Sequence, residues 1–262
     1  MVTSQSKILP WFGEHLRRRF FVDSFEDGRA ILSGDGAHHL GRVLRAEAGQ
    51  SYELSDGRAV WLARVERVGR DAVEFALVEP IQVRAPRLEA TLLLAIVKFD
   101  RFEWALEKAT ELGADVIVPL AADRSEKALV SSAAKRAERW ERILMESAQQ
   151  ARCLRPPELR PLATPAAALR SVEDGLKVLL SERSEAPPLR SLLGPKAVQQ
   201  FAPSSDRVRV ALAIGPEGGW TDREFAEAAA AGFLEASLGS NILRTETAVA
   251  AGLGAAHLYF DY

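Results

Sequence analysis

The pattern of apolar and polar positions changes character once along the chain. From Arg19 to about Val83, short apolar runs alternate with turn residues: Phe20 to Val22, Arg29 to Leu32, Ser51 to Leu54, Val60 to Val68 and Ala72 to Val78. Val73, Phe75 and Leu77 alternate with polar or small neighbours, the period of a half-buried strand. Asp23 to Gly28, Asp56-Gly57 and Gly69-Arg70-Asp71 supply the turns between them. This spacing predicts a small β-barrel. Arg84-Ala85-Pro86-Arg87 then interrupts pairing, because proline has no amide hydrogen to donate. We therefore divide the chain into an extension over residues 1–16, a barrel over 17–85 and a second domain over 86–262.

In the second domain, runs apolar on both faces recur between helical patterns: Thr91 to Val97, Val116 to Leu120, Lys177 to Ser181, Val208 to Ile214 and Leu234 to Leu238. Such runs belong to parallel strands covered by helices on both sides, so this domain is predicted to be α/β. A helix is expected from Asp100, capped with the help of Glu103, carrying Phe102, Ala105, Leu106 and Ala109 on one stripe and stopping at Gly113. A long charged helix is expected over Ser132 to Arg152, with Trp140, Ile143, Leu144 and Ala148 buried.

Composition narrows the function classes. The chain has 262 residues and is 47% hydrophobic, enough for a folded core. Its longest apolar run, around Leu92 to Val97, is of strand length and far from a membrane span. The stretch Ile8-Leu9-Pro10-Trp11-Phe12 after Lys7 is too short and proline-broken for a secretory leader, so a cytoplasmic address is expected. A single cysteine, Cys153, and four histidines point to no metal site. Of 34 cations 27 are arginine, the side chain that pairs bidentately with phosphate, but residues 1–85 hold 12 basic and 12 acidic groups, so any RNA footprint must be local.

The chemistry lies in two loops. Ile214-Gly215-Pro216-Glu217-Gly218-Gly219-Trp220-Thr221 leaves a buried strand and enters a helix, with Thr221 and Glu224 placed as a capping box and Trp220 and Phe225 as a hydrophobic staple. Glycines there admit a ligand close to the backbone, yet neither a phosphate-loop lysine nor dinucleotide spacing is present. The second, Leu238-Gly239-Ser240-Asn241-Ile242-Leu243-Arg244-Thr245-Glu246-Thr247, again joins a strand to a helix that Thr245 or Thr247 can cap. Two such loops at the carboxyl ends of neighbouring parallel strands form one ligand crevice.

Together the two loops resemble the carboxyl-terminal signature of the SPOUT superfamily, and within it the enzymes that methylate uridine N3 in 16S rRNA. The resemblance runs from about Arg18 to Tyr259 and includes His38-His39-Leu40-Gly41-Arg42-Val43-Leu44-Arg45 and Lys108-Ala109-Thr110-Glu111-Leu112-Gly113, with Arg124, Glu146 and Gln150 at matching positions. It implies a PUA-like barrel before a trefoil-knotted α/β methyltransferase domain that uses S-adenosylmethionine (SAM), acts on the small ribosomal subunit and works as a homodimer. One family arginine falls on Cys153, one position after Arg152.

By that resemblance the cofactor should lie against Leu180, Gly215, Pro216, Glu217, Gly218, Gly219, Leu238, Gly239, Ile242, Leu243 and Thr245. Arg244 is the expected group for charge developing on the uracil, or for a phosphate; Glu217 and Glu246 are the expected bases. Arg17, Arg18, Arg19, His39, Arg42, Arg45, Arg124 and Arg152 form the expected RNA-binding set. Competing readings are a SPOUT enzyme acting on another RNA and a non-catalytic ribosome-assembly factor; intact glycines in both loops speak against the latter.

Overall fold

The computed structural model describes residues 18–84, 86–194 and 207–260. Met1 to Leu16 and Arg17 lie outside the described residues.

The first five strands are β1 (Arg19–Phe21), β2 (Arg29–Ser33), β3 (Ser51–Ser55), β4 (Val60–Val68) and β5 (Ala72–Ile81), ordered β1-β3-β4-β5-β2 in one sheet. Only β1 and β3 run parallel. Register shifts in the β4–β5 ladder, between Leu62 and Ala63 and between Val65 and Arg67, bend this sheet. Phe20, Leu40, Leu54, Val73 and Phe75 are fully buried on its inner face. Between β2 and β3, α1 (Gly34–His38) runs into a π-helical turn, His39–Val43, which seats Leu40 in that core and leaves Arg42 and Val43 in solvent.

The second sheet contains β6 (Leu88–Ala95), β7 (Ala114–Leu120), β8 (Glu158–Leu159), β9 (Leu176–Leu180), β10 (Val208–Ile214) and β11 (Leu234–Ala236). Its order is β11-β9-β10-β6-β7-β8, and every pair is parallel. Alternate residues of β6 feed opposite faces. Leu92 and Leu94 pack with helices α2 (Phe99–Glu111), α4 (Ala137–Ala151) and α7 (Thr245–Phe260), while Leu93 and Ala95 pack with α5 (Pro165–Ser171) and α6 (Asp222–Ala230). Both faces of the sheet are therefore dry, as its uninterrupted apolar runs require.

Two helical expectations need correction. Helix α2 begins at Phe99 after Lys98, and no side chain caps it. Glu103 turns away from the helix end to take Arg139 at 2.7 and 2.8 Å, because a guanidinium from α4 is a stronger partner than an amide. The long helix expected over Ser132 to Arg152 is broken into α3 (Lys127–Ala133), a 3-10 turn (Ala134–Arg136) and α4. The break lays the Arg136 guanidinium 4.7 Å over Phe99. Its buried stripe is as expected at Trp140, Leu144 and Ala148, with Ile143 half-buried. Strand β8, only two residues long and directly after a Pro-Pro pair, has no run long enough to announce it.

The two sheets meet at a polar joint. Arg19 is only 5% exposed: it grips Glu53 through Nε and Nη2 (3.2 and 3.0 Å), and its Nη1 donates to the carbonyls of Arg152 (2.5 Å) and Cys153 (3.2 Å). Ser55 donates to the Leu154 carbonyl at 2.6 Å. Those carbonyls are turned outward because α4 ends with Arg152 in the left-handed region, φ 55°. Arg19, expected to contact RNA, is instead buried and spends four of its five donors on Glu53 and the two carbonyls of this joint. Arg152 also belongs to the joint, with Nη1 3.5 Å from Glu53. Cys153 sits half-buried beside the Thr110 carbonyl, and burial pushes its thiol pKa up, so it is a poor nucleophile.

Candidate active site

The glycine loop after β10 is held from three sides. Trp220, 5% exposed, donates from Nε1 to the Leu180 carbonyl at the tip of β9, 3.0 Å away. Its indole also lies where a side chain on Gly215 would go, 3.1 Å from the Cβ position. The Thr221–Glu224 capping box forms as the sequence predicts. Glu224 does more than cap. Fully buried, it accepts the Thr221 amide (2.8 Å) and the Asp123 amide (2.9 Å), tying the loop to the exit of β7. Arg223 clamps the Asp123 carboxylate at 2.6 and 2.7 Å and holds its pKa below the usual range. Beside it, Arg124 donates from Nη1 to the Gly218 carbonyl at 2.7 Å.

The second loop is tied to the first by Thr245, whose hydroxyl donates to the Gly215 carbonyl at 3.0 Å. That corrects its expected role: Thr245 is the first residue of α7, and its hydroxyl links the two loops across the crevice floor instead of capping the helix. Between the loops lies a cavity of about 460 Å³, within the size range of small-molecule and cofactor sites. It opens at the carboxyl ends of β9 and β10, beside the point where the strand order doubles back.

Most expected residues meet there. Leu180, Gly215, Pro216, Glu217, Gly219, Leu238, Gly239, Ile242, Leu243, Arg244 and Thr245 line the cavity. Gly218 stands just outside the lining and contributes its carbonyl to Arg124. Arg124, expected to contact RNA, lines the crevice as well. Glu217 is exposed and paired with Arg101 of α2 at 3.0 Å. Glu246 is not on the wall; its Oε2 is buried with no hydrogen-bond partner among the described residues. Arg18, His39, Arg42 and Arg45 do not line the cavity. Arg18 Nη1 lies 3.4 Å from His39 Nε2, and Arg42 and Arg45 are exposed on the turn and loop after it. Sequence reasoning missed Glu182 and Arg183 at the tip of β9, which also line the cavity. The predicted strand ended one residue before them, but no glycine or cap marked them as functional. Among the described residues, no group of three or more His, Cys, Asp or Glu side chains is placed to hold a metal ion.

Trp220→Phe should keep the ring's packing and lose the bond to Leu180, costing about 1 kcal/mol of stability. Melting curves and cofactor titration would check it, with a several-fold weaker affinity expected as the loop loosens.

The fold and the crevice are those of an RNA methyltransferase domain joined to a PUA domain, as comparison with known families shows. A model of the RNA methyltransferase domain matches residues 84–257, and one of the RNA methyltransferase PUA domain matches residues 32–78. The chain belongs to the ribosomal RNA small subunit methyltransferase E family. The relative from Mycobacterium bovis is 32% identical over 90% of this chain and 89% of its own length, and that from Synechocystis is 35% identical over 80% and 67%. Among solved structures, a methyltransferase from Legionella pneumophila with bound SAM superposes with a TM-score of 0.78 at 30% identity, covering 92% of this chain and 97% of that one. Ribosomal RNA small subunit methyltransferase E from Neisseria gonorrhoeae, bound to SAM, gives 0.79 at 27% identity over 92% and 97%.

Proposed function

We propose that this chain methylates N3 of a uridine in 16S rRNA of the small ribosomal subunit, with SAM bound in the crevice between the two glycine-rich loops. The observation that carries this reading is the crevice, where backbone at Gly215, Gly219 and Gly239 is bare and Leu180, Leu238 and Leu243 supply apolar walls. Such a lining fits an adenosine held by main-chain groups and flat apolar contact. When bound, SAM supplies an electrophilic methyl group on its sulfonium. The chain's residues must align the uracil ring with that methyl and manage the proton on N3.

Arg244, exposed at the crevice, is placed to stabilise negative charge on the uracil oxygens as the N3 proton leaves. Glu217, on the wall of the same cavity, is the group we assign to receive that proton; Glu246 lies off the wall and is set aside. Arg18, His39, Arg42 and Arg45 would position the RNA through phosphates, and the target base must leave any stack to reach the crevice.

The division at residue 85, a trefoil knot, a homodimer and a cytoplasmic site complete the reading. The stretch around Pro188 pairs with Ser237, through Ser237 N to Pro187 O and Leu189 N to Ser237 O, both 2.8 Å, which holds the segment after β9 beside the one that leads into the second loop. Trp104, Leu258 and Tyr259 are large apolar side chains left exposed on α2 and α7, a surface suited to a second copy. Sedimentation should give a mass near twice 28.6 kDa at micromolar protein; a monomer would remove the dimer. No described helix is long and apolar enough to cross a membrane.

The decisive assay is transfer from labelled SAM to small subunits lacking the modification, beside free 16S rRNA and tRNA, followed by nucleoside mass spectrometry. 3-Methyluridine on the subunit supports the whole reading. Transfer to tRNA alone, or to none of them, would overturn it.

A further inference from the structure

Glu182 is a charged residue in the crevice that the reading above does not use. It stands two positions beyond Leu180, at the carboxyl tip of β9, and lines the same cavity as both glycine loops. Its Oε1 lies 2.9 Å from the point where a Cβ on Gly219 would stand, so the carboxylate rests against bare backbone that only glycine leaves open. Gly219 is at φ +69°, a conformation that also favours glycine.

Glu182 is exposed at the crevice, and the arginines nearest it in the chain and across the loop are engaged elsewhere. Arg124 Nη1 is 3.9 Å from that same Cβ position and is committed to the Gly218 carbonyl. Arg183, next in the chain, lies 4.6 Å over the Phe225 ring and 3.9 Å from Glu235. Among the described residues the Glu182 carboxylate has neither a hydrogen-bond nor an ion-pair partner. A carboxylate has no donor of its own and accepts strongly, so the complementary ligand group is a pair of close donors. A cationic ligand group is a poorer match, because Arg124 and Arg244 line the same cavity and offset the carboxylate's field.

We propose that Glu182 binds the ribose of the cofactor, its carboxylate accepting hydrogen bonds from the vicinal 2′- and 3′-hydroxyls. Dinucleotide-binding folds solve the same problem in the same way, with an acidic side chain placed to meet a ribose hydroxyl. The inference rests on the crevice being the SAM site. Glu182 then sets which nucleosides the crevice accepts, since a site built to hydrogen-bond a hydroxyl rejects the analogue lacking it.

The test is calorimetric titration of the full chain with S-adenosylhomocysteine and with its 2′-deoxy and 3′-deoxy forms. Wild type should favour the parent compound over either deoxy form by about ten- to a hundredfold, the range for a hydrogen bond to a charged group. Glu182→Ala should bind all three alike, near the wild-type level for the deoxy forms, and Glu182→Gln should keep part of the preference. Unchanged discrimination in Glu182→Ala would overturn the proposal and leave the cofactor reading standing. Failure of wild type to bind SAM or S-adenosylhomocysteine at all would overturn both. Melting curves of each variant separate a lost contact from a lost fold.

Discussion

Arg244→Ala is expected to lower the turnover number for methyl transfer by about 10²- to 10³-fold, the usual effect of removing a donor aimed at developing charge. Affinity for SAM should stay within about twofold of wild type, because a group acting only in the transition state adds little to ground-state binding. The expectation follows from placement. Arg244 lines the crevice and is exposed, and its side chain has no hydrogen-bond or ion-pair partner among the described residues, whereas Arg101, Arg124 and Arg223 are each engaged. Steady-state kinetics against subunits would decide between its two duties. A fall in kcat with KM unchanged assigns it to the uracil oxygens; a rise in KM alone assigns it to a phosphate. Normal turnover would remove it from the site.

Glu224→Ala should produce the largest loss of stability. The wild-type carboxylate is wholly buried and accepts two main-chain amides, of Thr221 and Asp123, from loops that follow different strands. Alanine leaves both amide hydrogens without an acceptor in a dry place, and each hydrogen bond to a charged group is worth about 1.5–3 kcal/mol. We expect a total of about 3 kcal/mol, which for a chain of this size lowers Tm by about 6–12 °C. Glu224→Gln should recover little, since its amide would turn a second donor toward a donor. Because the tie positions Arg124 as well as the glycine loop, SAM affinity should fall with the melting temperature. A variant that melted like wild type would show that the helix N-terminus alone holds the loop.

Much of the architecture was legible because it is written in local patterns. The run Val208 to Ile214 has the bounds predicted for it, since a short apolar run of strand length between helical patterns is how a strand covered on both faces reads. The Thr221–Glu224 capping box was visible for a similar reason, its two members being three residues apart. The two glycine loops could be placed at strand ends, and most of the crevice lining came from them.

Where expectation failed, a charged side chain had a choice of partners. Glu103 was assigned to its own helix end and pairs with Arg139, 36 residues on. Arg19, expected to contact RNA, is buried against Glu53 and two carbonyls more than a hundred residues away. Arg124 spends a donor on the Gly218 carbonyl, 94 residues on, which no local pattern announces. Glu182 carried no local signature at all. Side-chain period, turn residues and caps act over a few positions, so strands, helices and the glycine loops follow from the chain read in order. Which charge meets which depends on strand order, β10 entering between β9 and β6, and on the joint between the two sheets; those are properties of the folded molecule, set by burial that leaves each ionised group few partners within reach.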